Sequence, residues 1–258
     1  MPDYPPGTPS WVELNTSDTD ASAAFYQKVM GWDVSEAGPD EETGGYRMFE
    51  QDGKRIAGLM RHMQEGQPTA WATYISVADA DETAEKVKAG GGSAIVEPMD
   101  VMDIGRMAFF TDPTGVVFGI WQPKTFAGAD LVNEPGSLCW NEIYTRDAET
   151  EKQFYPSVFG WGTSKPSFEG AGDYTIWEVG GKPIGGMMPM TDHAFPPEVP
   201  AHWSVCFAVA DADGTIEKAK QLGANVNAGP MDMPIGRFAA LMDPQGAPFT
   251  VMQMTSAD

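Results

Sequence analysis

The chain has 258 residues, with 37 acidic against 16 basic side chains and a formal net charge of −21. This balance argues against nucleic acid and anionic membranes as partners, because both are bound through an excess of lysine and arginine. The sequence has two cysteines, and its start lacks the charged segment and the apolar core that are typical of a signal peptide. It also lacks an apolar run of about 18 residues, the length that spans a bilayer. We therefore expect a cytoplasmic protein without a signal peptide or a membrane span.

The first 124 residues consist of two similar runs of one helix and several short strands. A strand over 11–18 precedes a helix over 20–30, and a strand over 71–79 precedes a helix over 81–89. Aspartates at the helix starts suit N-capping, and the glycines that follow the helices suit their ends. The short strands that follow the helices are predicted over 46–50, 55–60, 93–97, 107–111 and 116–122.

The second half of the chain repeats the first. Trp11-Val12-Glu13-Leu14 returns as Trp140-Asn141-Glu142-Ile143, and the blocks VADAD, IGR and DPxG return in the same order. Asp112 and Asp243 each head an Asp-Pro-x-Gly segment, which predicts a turn. We predict a first domain over 1–124, a linker with glycine and proline over 125–136, and a second domain over 137–258.

Two pairs of passages carry a resemblance to a known family. They are YISVADADETAEKVKAGGG with CFAVADADGTIEKAKQLGA, and IGRMAFFTDPTGVVFGIWQ with IGRFAALMDPQGAPFTVMQ. The chain resembles, over nearly its whole length, tandem two-domain members of the vicinal-oxygen-chelate superfamily, which carry glyoxalase-like or hydroxylase labels. The superfamily also contains bleomycin-resistance proteins and extradiol dioxygenases. The resemblance implies an α+β fold in which four βαβββ modules pair into two open, cup-shaped, eight-stranded mixed sheets. It does not imply a reaction, because one fold hosts many chemistries.

Family members that bind a divalent metal hold it with His, Gln or Glu side chains. None of these residue types stands at the six aligned positions of this chain, which are Trp11, Ala72, Gly119, Trp140, Ser204 and Thr250. A metal needs three or four nitrogen, oxygen or sulfur ligands at bonding distance. We therefore expect neither a metal of the family type nor another cofactor. A metal held by displaced ligands such as Glu13, His193 or His202 stays open as an alternative.

The alternation of side chains along strands predicts what faces each cup. If Trp11 faces the first cup, Glu13 faces it as well. The same argument in both halves predicts these ligand-binding residues: Trp11, Glu13, Tyr74, Trp121, Trp140, Tyr144, Ser204, Cys206, Thr250 and Met252. A face rich in aromatic rings and methionine, with few polar groups, is typical of a pocket for a flat or apolar molecule.

The two cups are predicted to differ chemically. His202 stands at the start of a strand in the second half, whereas Ala70 stands at the aligned position of the first half. Glu142 and His202 are therefore the candidate catalytic residues, as a carboxyl and an imidazole near one cavity. We expect the second cup to be the functional one.

Three functions are compatible with these residues. The favoured one is a metal-free protein that binds a small, largely apolar or aromatic organic molecule, in a sequestration, resistance or natural-product role. The second is a metal-independent enzyme, an isomerase, lyase, hydrolase or oxidoreductase-like protein, that uses Glu142 and His202. The third is a protein-binding regulator of the kinase-inhibitor type, for which the sequence names no partner. Each cup is complete in one chain, so a monomer or a homodimer is expected.

Overall fold

A computed structural model of the protein describes residues 2–64, 66–167, 172–192 and 195–255. The first half contains β1 (Pro9–Thr16), α1 (Thr19–Met30), β2 (Asp33–Val34), α2 (Asp40–Thr43), β3 (Arg47–Gln51), β4 (Lys54–Arg61), β5 (Ala70–Ser76), α3 (Ala80–Ala89), β6 (Ser93–Val101), β7 (Gly105–Thr111) and β8 (Val117–Pro123). The second half contains β9 (Leu138–Thr145), α4 (Ala148–Phe159), β10 (Gly162–Ser164), β11 (Thr175–Val179), β12 (Lys182–Pro189), β13 (His202–Ala208), α5 (Ala212–Gln221), β14 (Asn225–Met233), β15 (Gly236–Met242) and β16 (Pro248–Met254).

The four longer helices begin where short-range sequence signals place them. The side chains of Asp18, Asp79, Asp147 and Asp211 each accept a hydrogen bond from a backbone N–H in the first turn. An aspartate there satisfies a donor that the helix leaves unpaired and places a negative charge at the positive end of the helix dipole. Each of these helices starts three or four residues after the last residue of a strand.

Each half forms one eight-stranded mixed sheet, as the resemblance implied. The strand order is β2-β3-β4-β1-β5-β8-β7-β6 in the first sheet and β10-β11-β12-β9-β13-β16-β15-β14 in the second. In each sheet two strand pairs are parallel, β1 with β4 and β5 with β8 in the first, and the other neighbours are antiparallel. The sheets remain open, so one face of each curves around a cup.

The helix faces of the two sheets are buried against each other. Val12 and Leu14 of β1 share one hydrophobic core with Phe207 of β13 and Phe249 of β16. A second core joins β5, α3 and β8 of the first half to β9, α4, β11 and β13 of the second. Helix α1 contacts α5, and α3 contacts α4. The apolar side of each half is thus covered by the other half, which leaves both cups on the outside. No helix in the described part of the chain is long and apolar enough to cross a membrane.

Candidate functional site

The strand register places the predicted cup residues of the first half in two neighbouring rows. Trp11 of β1 lies opposite Tyr74 of β5, which in turn lies opposite Gly119 of β8. Two residues along β1, Glu13 lies between Gly58 of β4 and Ala72 of β5. Side chains two residues apart on a strand share a face. The rows therefore bring an indole, a phenol and a carboxyl together on the cup side of the sheet.

The second half repeats these rows with different neighbours. Trp140 of β9 lies opposite Cys206 of β13, which pairs with Thr250 of β16. Glu142 lies between Gly186 and Ser204. The two cups thus share the tryptophan and the glutamate, and they differ in the groups around them.

A tyrosine that sequence reasoning did not assign to the site completes each cup. Trp11 donates its indole N–H to the Tyr46 hydroxyl at 3.0 Å, and Trp140 donates to Tyr174 at 2.8 Å. Each tyrosine hydroxyl also lies close enough to the glutamate of its cup to counteract the rise that burial causes in that glutamate's pKa. The signal that could have found them is the repeat itself, which returns Tyr46 as Tyr174.

Close approach explains a glycine next to each glutamate. A Cβ at Gly58 would overlap the Tyr46 hydroxyl, and a Cβ at Gly186 would overlap the Tyr174 hydroxyl. Any larger residue would push the tyrosine away from its glutamate and its tryptophan. The Trp-Tyr-Glu cluster therefore depends on a backbone position without a side chain.

The two carboxyl groups stand in an environment that favours their neutral form. Burial raises the pKa of Glu13, and hydrogen bonds from Tyr46, Tyr74 and Asn15 act against this rise. The Tyr74 hydroxyl donates to Glu13 Oε1 at 3.2 Å, and the Asn15 amide donates at 3.3 Å. Desolvation penalises the charged form, whereas donors aimed at the carboxylate stabilise it.

Glu142 follows the same pattern with fewer donors. Burial raises its pKa, and the hydroxyls of Tyr144 and Tyr174 oppose the rise. Tyr144 stands at the position of Asn15, and Cys206 stands at the position of Tyr74. Tyr144 is therefore a single partner of the glutamate where the first cup has two. A protonated Glu142 can donate a hydrogen bond to a ligand, and an ionised one can accept a proton.

The first cup is filled by the chain itself. The ring of Phe126, from the linker after β8, lies edge-on to Trp11 with centroids 5.0 Å apart and to Trp121 with centroids 5.8 Å apart. Trp121 donates its indole N–H to the Phe126 carbonyl at 2.7 Å. The Arg55 guanidinium lies 4.7 Å from the Phe126 ring centroid. The phenyl ring thus occupies the place expected for an aromatic ligand.

The rest of the linker is fastened across the same cup. The Ala129 N–H donates to the Ser10 carbonyl at 2.9 Å, and the Tyr4 hydroxyl donates to the Ala129 carbonyl at 2.9 Å. Asp130 forms an ion pair with Arg55 at 2.7 Å. As a result Trp11 is only 4% exposed. The predicted ligand-binding residues of this cup, namely Trp11, Glu13, Tyr74 and Trp121, all lie buried beneath the linker or beside it.

The second cup is open by comparison. Trp140 and Glu142 are partly exposed, whereas their counterparts Trp11 and Glu13 are buried. Ile235 is 46% exposed, whereas its counterpart Ile104 packs against the hydrophobic cluster that contains Phe126 and Trp121. Of the other predicted residues of this cup, all are buried at its walls: Tyr144, Ser204, Cys206, Thr250 and Met252.

The second candidate catalytic residue lies at one end of this cup. His202 of β13 lies opposite Tyr144 of β9, and two residues further along β13 Ser204 lies opposite Glu142. The ring centroids of His202 and Tyr144 are 5.2 Å apart. Its Nδ1 is 2.8 Å from the Pro200 carbonyl oxygen, so Nδ1 carries the proton if this contact is a hydrogen bond. Burial lowers the pKa of His202. The structure thus places a carboxyl with a raised pKa and an imidazole with a lowered pKa along one face.

The donor chemistry of the cups does not fit the divalent metal of the fold family. Among the positions that align with the family's metal ligands, Trp11 and Gly119 lie in one row across the first sheet, and Trp140 and Thr250 lie in one row across the second. None of these four side chains is a His, Gln or Glu. Within residues 2–64, 66–167, 172–192 and 195–255, no three His, Cys, Asp or Glu side chains are grouped so that they could hold a metal ion. His193, one of the displaced ligands considered above, lies outside the described residues.

Paired βαβββ modules, open cup-shaped sheets and an internal duplication together define a tandem protein of the vicinal-oxygen-chelate class. The family model described as "Glyoxalase/Bleomycin resistance protein/Dioxygenase superfamily" matches residues 8–120 and again 137–251. The chain belongs to this superfamily.

Two similar proteins align with nearly the whole chain. A Mycobacterium tuberculosis protein named "Putative glyoxylase CFP32" is 41% identical over 257 residues, which cover 97% of this chain and 96% of that protein. The "Anthracycline biosynthesis protein DnrV" of Streptomyces peucetius is 36% identical over 268 residues, which cover 98% of this chain and 96% of that protein. Both alignments therefore span nearly the full length of both chains.

Solved structures agree in fold. The Mn(II)-bound glyoxalase from Novosphingobium aromaticivorans superposes with a TM-score of 0.63 at 18% identity, covering 95% of this chain and 82% of the other. The 2,3-dioxygenase LapB from Pseudomonas sp. KL28 superposes with a TM-score of 0.66 at 14% identity, covering 97% and 93%. At these identities the likeness concerns the fold and carries no reaction over to this chain.

Proposed function

We propose that this protein binds a small, flat, largely apolar or aromatic molecule in its second cup, without a metal. The observation that carries the proposal is the internal comparison of the two cups. The first cup holds the Phe126 ring against Trp11, and the second presents the same Trp-Tyr-Glu cluster to solvent. The ligand of the second cup would take the place that a phenyl ring takes in the first.

The walls of the second cup support a larger ligand than a phenyl ring. Met252 stands where the first cup has Trp121, and Cys206 stands where it has Tyr74. Methionine is flexible and adapts to irregular aromatic surfaces. Tyr174 and Glu142 would orient polar substituents at the floor. A role in the sequestration or the processing of an aromatic natural product is supported by the similarity to an anthracycline biosynthesis protein. The proposal includes a cytoplasmic location, where both cysteines would be kept reduced.

Titration with 1,8-dihydroxyanthraquinone tests the proposal through tryptophan fluorescence. We expect saturable quenching in the wild type, because Trp140 is a partly exposed indole at the floor of the second cup. Trp140→Phe should lose the quenching that belongs to this indole. It should also weaken binding by about two- to twelvefold, since an aromatic contact contributes about 0.5–1.5 kcal/mol.

The duplication offers a matched control. Trp11→Phe makes the same change in the first cup, where the linker covers the indole, and it should leave the quenching and the affinity close to those of the wild type. Equal quenching in both variants would contradict a site in the second cup. No saturable binding across a panel of neutral polycyclic aromatic compounds would contradict the proposal as a whole.

A second candidate function rests on Glu142 and His202. Their shifted pKa values and their position on neighbouring strands suit a metal-independent acid–base enzyme. For a compound that is turned over, we expect Glu142→Gln and His202→Ala each to lower the rate constant kcat by about 100-fold or more, with little change in binding. The measurement is product formation under saturating substrate. Glu13→Gln, the same change in the covered cup, should have no effect. Wild-type turnover by both second-cup variants would exclude this mechanism.

A further inference from the structure

The chain's two cysteines meet in the wall of the second cup. Cys139 of β9 and Cys206 of β13 are 67 residues apart in sequence, yet their Sγ atoms lie 3.7 Å apart. Cys139 Sγ also lies 3.4 Å from the Cys206 carbonyl oxygen. Both are free thiols. The sequence has two cysteines among 258 residues, so random placement would rarely bring them into contact.

An irregularity in strand pairing produces this contact. Cys206 pairs with Trp140 and Phe207 pairs with Leu138, so Cys139 is the extra residue of β9 at this point. Neighbouring strands are about 4.7–4.9 Å apart, which lies within the Cα separations of about 4.4–6.8 Å that disulfides span. The bulge lets Cys139 turn toward Cys206, although regular alternation would send it to the opposite face. The two sulfurs can therefore bond without a rearrangement of the sheet.

The two thiols differ in access. Cys139 is partly exposed, whereas Cys206 is buried and faces the cup between Trp140 and Thr250. The hydrogen bond with Cys139, and then burial, raise the pKa of the Cys206 thiol. An oxidant from solvent therefore meets Cys139 first, and Cys206 is placed to react with the oxidised sulfur.

We propose that Cys139 and Cys206 form a peroxide-sensitive dithiol that closes to an intramolecular disulfide and thereby changes the second cup. Hydrogen peroxide oxidises the Cys139 thiol to a sulfenic acid and is reduced to water. The Cys206 sulfur then attacks the Cys139 sulfur, the S–O bond breaks, and the hydroxyl leaves as a second water with the Cys206 proton. The two sulfurs lose two electrons in total, and the peroxide O–O bond takes them up.

Closure draws the Cys206 sulfur toward the bulge and away from the cup. It also alters the surroundings of Trp140, which is the chain neighbour of Cys139 and the strand partner of Cys206. The first cup has Ser10 and Tyr74 at the corresponding positions, so this chemistry belongs to the open cup alone. The effect on ligand affinity rests on the function proposed above, whereas disulfide formation and the change at Trp140 do not.

The test treats the reduced full-length protein with a small excess of hydrogen peroxide and follows its intact mass and its thiol titre. We expect a monomer lighter by about 2 Da and the loss of both titratable thiols, with full recovery after dithiothreitol. The fluorescence that Trp140 contributes, taken as the difference between wild type and Trp140→Phe, should fall on oxidation and recover on reduction. The affinity for 1,8-dihydroxyanthraquinone should weaken by about tenfold.

Single-cysteine variants separate the two steps. In Cys206→Ala the oxidised Cys139 should stay as a sulfenic acid that dimedone traps, and in Cys139→Ser the buried Cys206 should remain titratable. The dithiol is refuted if Cys139 in the wild type advances to sulfinic acid, or links two chains, while Cys206 stays titratable. A disulfide that leaves the Trp140 emission unchanged refutes the effect on the cup. A probe that binds neither form refutes the proposed function, and the mass and the emission still decide the dithiol.

Discussion

Replacement of Phe126 by alanine is expected to lower the free energy of unfolding by about 3–5 kcal/mol, the range for removal of a buried phenylalanine side chain. The ring is 7% exposed and is enclosed by Trp11, Trp121 and the Arg55 guanidinium. The hydrogen bond from Trp121 ends on the Phe126 backbone, so the linker should keep its path. Urea denaturation followed by tryptophan fluorescence measures the change.

The same variant should turn the first cup into a binding site. The lost ring leaves an apolar cavity beneath the linker, and such cavities accept a molecule of the size of benzene. We expect millimolar benzene to raise the melting temperature of Phe126→Ala and to leave that of the wild type unchanged. Thr125→Ala, an exposed change one residue earlier, serves as the control. Equal stability of Phe126→Ala and the wild type would show that the linker does not fill the cup in solution.

Glu151→Gln is expected to stabilise the protein at alkaline pH. Glu151 of α4 is fully buried between the two halves, where it accepts a hydrogen bond from Thr114 at 2.8 Å. Its Oε2 has no hydrogen-bond partner among the described residues. Burial, together with the nearby carboxyl of Asp112, raises the pKa of Glu151 to about 8. The folded protein therefore holds a proton that the unfolded chain releases.

The direction of the pH effect follows from this difference. The stability that comes from the protonated carboxyl is complete below the unfolded pKa of about 4.5, and it is lost as the pH rises through the folded value near 8. One pKa unit corresponds to about 1.4 kcal/mol, so we expect the wild type to lose about 2 kcal/mol between pH 6 and pH 8. Glu151→Gln should lose little over the same interval.

Urea denaturation at pH 6, 7 and 8 measures this slope. The control is Glu149→Gln, a change on the same helix at an exposed carboxyl paired with Lys152. This variant should keep the slope of the wild type. The same slope in Glu151→Gln would show that another group carries the pH dependence. At the other contact between the halves, Asp243 accepts a hydrogen bond from Tyr26 as Asp112 does from Tyr155. Ser22, which accepts a hydrogen bond from Gln245, stands there in the place of Glu151, so Asp243 has no carboxyl beside it that corresponds to Glu151.

Asp112 shows how a correct local prediction can be incomplete. The Asp-Pro-x-Gly pattern predicts a turn, and Asp112 Oδ1 accepts hydrogen bonds from the Thr114 and Val116 N–H groups. The structure adds that Tyr155 of the other half donates to Asp112 Oδ2 at 3.0 Å. The turn depends on neighbours in the chain, whereas the second contact depends on how the halves pack.

The sequence was sufficient to predict the duplication, the helix starts, the strand faces and the superfamily, because these depend on residues close together in the chain or on a pattern that occurs twice. It also placed Glu142 and Trp140 on one strand face, since alternation is a local property. Whether the predicted residues bind a ligand or catalyse a reaction remains a prediction that the experiments above test.

The surroundings of those residues are set by contacts between segments that lie far apart in the chain. Tyr46 reaches Trp11 across 35 residues, the linker is bound by Tyr4 across 125, and Cys139 meets Cys206 across 67 and through a bulge that breaks the alternation. A single sequence contains no measure of such distances. A linker rich in glycine and proline also gives no sign that one of its side chains will fill a cup. The closed first cup and the open second cup therefore follow from the packing of distant segments, which local propensities do not encode.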